Sequence, residues 1–127
     1  MSDKDVTELA EAYIAAYNSG DLDRIGAALA DDVEITHHNR GAHAKGKAAA
    51  MEVFTGAGQV MPDKHFEGRI NLQVTGPDSV VVRHVFVANP KVDIPGFGPA
   101  GEEIRLDLAT FLRFNADGLL VEYNDFG

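Results

Sequence analysis

The sequence lacks cysteine, and this absence excludes several kinds of chemistry. Without cysteine there is no disulfide framework, no thiolate nucleophile and no metal site ligated by cysteine. The opening residues 2–5 are polar and show no apolar signal segment. We therefore expect cytoplasmic residence.

Basic residues are scarce as well. Lysine and arginine together number 11, aspartate and glutamate number 20, and the formal net charge is -9. A protein with this charge repels phosphate backbones and anionic membrane surfaces. The expected partners therefore include no nucleic acid and no membrane.

The histidines do not predict a metal site. His37, His38 and His43 lie close together in the sequence, but adjacent residues of a strand point to opposite faces of its sheet. No neighbouring acidic residue completes a convincing ligand set. We expect neither a metal nor any other cofactor.

The sequence does contain enough apolar material for one core. It has 127 residues, of which 45% are hydrophobic and 24% are charged. This length and composition suit one compact domain and are too small for two. Residues 1–127 are therefore predicted to form a single domain.

The first residues predict two short helices. Apolar side chains recur at steps of three and four, which places them on one helix face; they are Val6, Leu9, Ala10, Tyr13, Ala16 and Tyr17. Gly20 suits the left-handed position that closes many helices. Asp21 suits the N-cap of a second helix, and Asp31 and Asp32 are predicted to end that helix.

A strand is predicted to begin at Val33, because the period of the apolar residues changes there from helical to alternating. Val33, Ile35 and His37 then share one face, so His37 lies on the apolar side. Residues 39–46 are predicted to be a loop and residues 47–55 a third helix.

Further strands are predicted at residues 66–75, 80–88, 104–114 and 119–126. Residues 76–79 and 115–118 contain the residue types that tight turns favour, so the strands that they join are antiparallel. Residues 89–101 are rich in proline and glycine and too long for a hairpin, and they are predicted to form an ordered flap over a cavity mouth. Helices followed by a meander of strands indicate an α+β fold.

Residues 13–38, the helix after Gly46 and residues 111–126 resemble the SnoaL-like branch of the nuclear transport factor two-like superfamily. The likeness covers nearly the whole chain. It implies a cystatin-like cone in which N-terminal helices pack on a strongly curved antiparallel sheet. Members of this superfamily are often homodimers with a hydrophobic pocket, so the resemblance implies a homodimer that binds a small hydrophobic molecule.

The resemblance also implies site residues. Steroid isomerases of this superfamily use a tyrosine and a protonated aspartate as oxyanion donors and a second aspartate as the base. The matching positions are Tyr13, Thr110 and His37, respectively. His37 and Thr110 depart from that pattern, because neither is an aspartate.

Two other branches of the superfamily point to the end of the chain. SnoaL-type polyketide cyclases use an aspartate as acid and base, and Asp125 is similar to it. Members that resemble limonene epoxide hydrolase place an arginine between two carboxylates. Arg83 and Asp125 match two of these three groups, while Val85 stands where the second carboxylate belongs.

The chemistry of these residues suits proton transfer. A histidine with its ordinary pKa of about 6.5 accepts a proton near neutral pH, so His37 is the candidate general base. Tyr13 is the candidate oxyanion donor, and Asp125 is a second acid or base, or an orienting group. Each also has an ordinary interpretation, as a half-exposed strand end, a core tyrosine and a solvated carboxylate, respectively.

Four more residues are predicted to line the cavity: Phe54, His84, Thr110 and Leu112. Arg83 is predicted to bind the ligand beside Asp125. His84 interrupts an alternating apolar strand, which suits a satisfied core histidine at least as well as a cavity wall.

Two functions of different classes stay open. The first is cofactor-independent proton transfer next to a carbonyl of a small polyketide- or steroid-like ligand, giving isomerisation or aldol cyclisation. The second is a non-catalytic small-molecule binding or assembly module of the same fold. An enzyme needs polar groups that converge on one reacting atom, whereas a binder needs only a shaped apolar cavity.

Overall fold

Three helices pack on a curved sheet of six strands in the part of the chain that the computed structural model describes, residues 3–94 and 98–127, with side chains from residue 6 onward. The elements follow in the order α1 (Asp3–Ser19), α2 (Leu22–Ala27), β1 (Leu29–His37), a 3-10 turn (His38–Arg40), β2 (Ala42–Lys45), α3 (Lys47–Val60), β3 (His65–Gly76), β4 (Ser79–Ala88), β5 (Ile104–Phe114) and β6 (Leu120–Phe126). The predicted α+β class is confirmed.

The two N-terminal helices form as the sequence predicts, but α2 ends at Ala27, before the predicted end at Asp31 and Asp32, which lie in β1. Gly20 has a φ of 71°, the left-handed conformation that glycine adopts without strain. The Asp21 carboxylate accepts hydrogen bonds from the backbone N–H groups of Asp23 and Arg24, at 3.0 and 3.3 Å. The predicted N-cap of α2 is therefore confirmed.

This cap gives a first testable prediction. Asp21→Ala is expected to lower the free energy of unfolding by about 1 kcal/mol, because two N–H groups lose their acceptor. Asp21→Asn is the matched control, since asparagine caps helices about as well as aspartate. Urea unfolding monitored by circular dichroism measures both variants, and equal losses in the two would contradict a capping role.

The largest further differences from the prediction lie at three places in the chain. β1 begins at Leu29 rather than Val33, because Leu29 pairs with Leu120 on β6 before the register shifts. α3 continues past Gly56 and ends at Val60, with Met61 as its C-cap just before Pro62. The predicted loop at residues 39–46 contains a 3-10 turn and the short strand β2, which pairs antiparallel with β1.

The sheet has the strand order β2-β1-β6-β5-β4-β3. Every neighbouring pair is antiparallel except β1 and β6, which run parallel with His37 opposite Asp125. The predicted antiparallel sheet therefore contains one parallel pair. The long connection between β1 and β6 permits this arrangement, because parallel neighbours need a crossover rather than a tight turn.

The core lies between α1 and the inner face of β4, β5 and β6. Tyr13, Val82, Leu112 and Phe114 are among its fully buried side chains. On β5 the even-numbered residues face inward, which agrees with the alternation in the sequence.

Residues 89–101 connect β4 to β5 and are tied to the rest of the fold. Lys91 donates its backbone N–H to the carbonyl of Val60 at 2.8 Å, and Ile94 pairs with Gly98. Residues 95–97, which include Pro95 and Gly96 of the predicted flap, lie outside the described residues. Among the residues that the structure does describe, none of the helices has both the length and the apolar character of a membrane span.

Candidate functional site

An apolar cavity of about 240 Å³ opens beside the core, enclosed by α1, α3 and the inner face of the sheet. Its walls are mainly aliphatic and aromatic side chains from all six strands and two of the helices, together with Ile94 of the β4–β5 connection. The polar or charged side chains in these walls are Tyr17, His37, Arg40, Lys64, Tyr123 and Asp125. A concave apolar site with a few polar groups is typical of small-molecule binding.

The parallel register of β1 and β6 brings His37 and Asp125 together in this wall. His37 Nδ1 lies 2.5 Å from Asp125 Oδ2, and the two side chains are 25% and 4% exposed. Both residues are candidates from the sequence, and the structure makes them a hydrogen-bonded pair. Their catalytic roles stay predictions.

The hydrogen bond assigns the tautomer of His37. A carboxylate only accepts hydrogen bonds, so Nδ1–H donates to Asp125 and the Nε2 lone pair of the neutral ring is left available. Tyr123 also donates to Asp125 Oδ2, at 3.0 Å. Burial raises the pKa of Tyr123 well above its ordinary value, so this phenol stays a neutral donor.

Asp125 also has an oxygen without a partner. Its Oδ1 is buried and has no hydrogen bond to any of the described residues. A buried carboxylate oxygen in this state is costly, and a catalytic role is one of the reasons for which proteins retain such an atom. Asp125 is therefore held in place through one oxygen, which binds His37 and Tyr123.

Lys64 is a site residue that the sequence interpretation missed. It is only 7% exposed, and its Nζ lies 3.9 Å from the centre of the Tyr17 ring. Burial lowers the pKa of Lys64 from 10.5 to about 8, because a low-dielectric environment disfavours the charged ammonium. The sequence feature that could have identified Lys64 is its position two residues before Phe66, because residues two apart in an extended segment lie on the same face.

His84 is a satisfied core histidine, not a residue of the cavity wall. Its ring stacks on Phe66 with a centroid distance of 4.2 Å, and its Nε2 lies 2.9 Å from the hydroxyl of Thr110. Burial, aided by the positive charge of Arg69, lowers the pKa of His84 to about 4. The predicted lining by His84 and Thr110 is therefore corrected, since the two form a pair beneath the wall.

Three other predicted residues also lie outside the cavity wall. Tyr13 is 1% exposed, and its hydroxyl has no hydrogen-bond partner among the described residues. Leu112 is fully buried in the core, further along β5 than the cavity reaches. Arg83 is exposed on the opposite face of β4, because alternate residues of a strand point to opposite sides.

Of the predicted set, the structure thus places His37, Asp125 and Phe54 in one cavity wall. Tyr17, one helical turn after Tyr13, is the tyrosine of α1 that reaches the cavity. Within the described part of the chain, no group of three or more histidine and acidic side chains is placed to hold a metal ion.

Solved structures of similar fold cover almost the whole chain. A Xanthomonas campestris protein described as a "putative polyketide cyclase" is 21% identical, with a TM-score of 0.81 over 98% of this chain and 90% of that one. A Pseudomonas putida protein with the same description is 22% identical, with a TM-score of 0.82 over 100% of this chain and 92% of that one. A cystatin-fold protein from Novosphingobium aromaticivorans is 25% identical, with a TM-score of 0.76 over 100% of this chain and 99% of that one.

These likenesses confirm the predicted cystatin-like fold. Among curated proteins, none matches the chain. The family model of the SnoaL-like domain matches residues 10–123, which is most of the sequence. The chain therefore belongs to the SnoaL-like domain family.

Proposed function

We propose that this SnoaL-like protein transfers a proton at the carbon next to a carbonyl of a small hydrophobic ligand. The observation that carries the proposal is the His37–Asp125 pair in the wall of an apolar cavity. A histidine oriented by a buried carboxylate is a recurrent general base in enzymes. The size of the cavity, about 240 Å³, favours a ligand smaller than the drug-sized molecules that fill pockets of roughly 300–1,000 Å³.

The proton transfer follows from the hydrogen bonds of the pair. His37 Nε2 takes the proton from the carbon, and the electron pair moves onto the carbonyl to form an enolate. The carboxylate of Asp125 stabilises the imidazolium that results, so Asp125 is a positioning residue. Returning the proton to a different carbon completes an isomerisation.

The same base also serves a cyclisation. The enolate carbon attacks a second carbonyl of the ligand and forms a carbon–carbon bond, and the new alkoxide takes the proton held by His37. Both reactions place negative charge on an oxygen before the proton returns. Lys64 and Arg40 are the cationic side chains in the described part of the wall, and a cation fixed in a dry site lowers the energy of such charge.

Hydrogen–deuterium exchange of a ketone tests the proposal. Acetophenone in D₂O is expected to exchange its methyl protons faster with the protein than without it, as followed by NMR. His37→Gln is expected to lower the protein-dependent rate by about 100-fold, because the general base is lost. The matched control is His38→Gln, since His38 is its sequence neighbour but stacks on the exposed Phe126 and is not in the cavity wall.

Two outcomes would count against proton transfer. His37→Gln with the full rate would remove His37 as the base. A wild-type protein that binds acetophenone, seen as a rise in melting temperature, without accelerating exchange would favour the competing function. That function is a non-catalytic binding module, and the mainly apolar character of the wall supports it.

A further inference from the structure

We propose that Lys64 is a covalent attachment site, at which its amine condenses with the carbonyl of an aldehyde or ketone held in the cavity and forms an imine. The inference rests on the proposed function in one respect, the carbonyl-bearing ligand. The inference goes beyond that function because it gives Lys64 a role that neither the sequence motifs nor the His37–Asp125 pair requires.

The position of Lys64 is unusual for a lysine. Lysine is almost never fully buried unless it is paired with an acidic group, yet Lys64 is 7% exposed and forms no salt bridge among the described residues. Its ammonium instead rests over the Tyr17 ring. Lys64 therefore presents an amine to an apolar cavity with no carboxylate bound to it.

Burial makes this amine reactive near neutral pH. The pKa of Lys64 is lowered to about 8, so at pH 8 about half of the protein molecules carry Lys64 as the neutral, nucleophilic amine. An ordinary lysine with a pKa of about 10.4 has a neutral fraction on the order of 100-fold smaller at that pH. Desolvated lysines of this kind are the ones that form Schiff bases in enzymes.

The condensation is balanced without any co-reactant. The Nζ lone pair attacks the carbonyl carbon and forms a carbon–nitrogen bond, and the oxygen leaves as water with the two protons that the amine gives up. Protonation of the imine gives an iminium, which attracts electrons from the neighbouring carbon more strongly than the carbonyl does. His37, in the wall of the same cavity, then removes the proton from that carbon and leaves an enamine.

Reductive trapping tests the inference. The protein is incubated at pH 8 with benzaldehyde and sodium cyanoborohydride, which converts the imine into a stable benzylamine. Intact mass and peptide mapping are expected to show one benzyl group on Lys64, with at least about tenfold more label there than on any exposed lysine. Label distributed over the exposed lysines without preference for Lys64 would overturn the inference.

Matched variants separate covalent chemistry from charge. Lys64→Met and Lys64→Arg are both expected to lose the single label, whereas Lys91→Met, which alters an exposed lysine, is expected to keep it. Lys64→Arg retains the positive charge but has no nucleophilic amine, so a single label that survives in this variant would overturn the inference.

The failure of this inference is distinguishable from the failure of the proposed function. His37→Gln is expected to keep the label on Lys64 while losing proton exchange, because imine formation uses the lysine amine alone. A wild-type protein that exchanges acetophenone protons but takes no label would refute the attachment site and leave the general base in place. A label on Lys64 without accelerated proton exchange would support the attachment site and count against the general base.

Discussion

Leu112→Ala is expected to lower the free energy of unfolding by about 4 kcal/mol, whereas Leu108→Ala on the same strand is expected to cost about 2 kcal/mol. Both residues lie on the inward face of β5, four residues apart, and both are buried. They differ in what lies next to them. Leu108 lines the cavity and Leu112 does not.

The physical reason is the space that each truncation leaves. Leu112 is 0% exposed and is paired across the sheet with Val80 on one side and Tyr123 on the other. Its loss removes about 2 kcal/mol of apolar transfer energy and adds the cost of a new void in close-packed core. At Leu108 the space joins an existing cavity, so fewer contacts are lost.

Urea unfolding of both variants measures the difference in stability. A second readout separates them further: Leu108→Ala is expected to increase the rise in melting temperature caused by 2-acetylnaphthalene relative to acetophenone, because the cavity is larger. Leu112→Ala is expected to leave that ratio unchanged. Equal losses of stability together with equal ligand preferences would show that the cavity extends to Leu112.

Local patterns were sufficient to predict most elements of the fold. The limits of β5 agree with residues 104–114, and Asp21 caps α2 as its position predicts. The two hairpin turns also join antiparallel strands. These features depend on residues within a few positions of one another, so the periodicity and turn chemistry of the sequence contain the necessary information.

Long-range pairing was not available from the same patterns. His37 and Asp125 were each identified from the sequence, but the parallel pairing of β1 and β6 places them opposite each other. That pairing joins segments at opposite ends of the chain, and nothing in either segment alone specifies it. The orienting role of Asp125 therefore became specific only with the structure.

The sequence also could not show which inward-facing residues of β5 line the cavity and which lie in the closed core. Alternation correctly puts Leu108, Thr110 and Leu112 on one face of β5, but it does not tell which part of that face the helices cover. The structure shows the cavity beside Leu108 and closed core at Leu112. Lys64 was missed for a related reason, because a lysine outside a regular strand is ordinarily solvated.

Acid is expected to destabilise the wild-type protein by about 2 kcal/mol more than a variant without the buried imidazole, when the pH falls from 7 to about 4.5. The cause is His84, whose pKa burial lowers from 6.5 to about 4. In the unfolded chain a histidine has a pKa near 6.5. Between these two values the unfolded chain binds a proton and the folded protein does not, so lower pH favours unfolding.

The sign and the window follow from that difference. The contribution of His84 is fully present above pH 6.5 and is lost as the pH falls toward 4, at about 1.4 kcal/mol for each pH unit. Arg69 adds to the lowering of the His84 pKa and Asp125 opposes it. His65 has the opposite sign, because the carbonyl of Asp63 and the carboxylate of Glu67 raise its pKa.

The double variant His84→Phe/Thr110→Val isolates this effect. It replaces both partners of the hydrogen bond with apolar groups of similar shape, which avoids leaving the Thr110 hydroxyl buried and unpaired. The phenyl ring keeps the stack on Phe66 and has no proton to bind. Free energies of unfolding in urea, measured at intervals between pH 7 and 4.5, are expected to fall less steeply in the double variant than in the wild type. Parallel curves would mean that His84 takes up its proton as readily in the folded protein as in the unfolded chain, and that the ring is not held neutral by its burial.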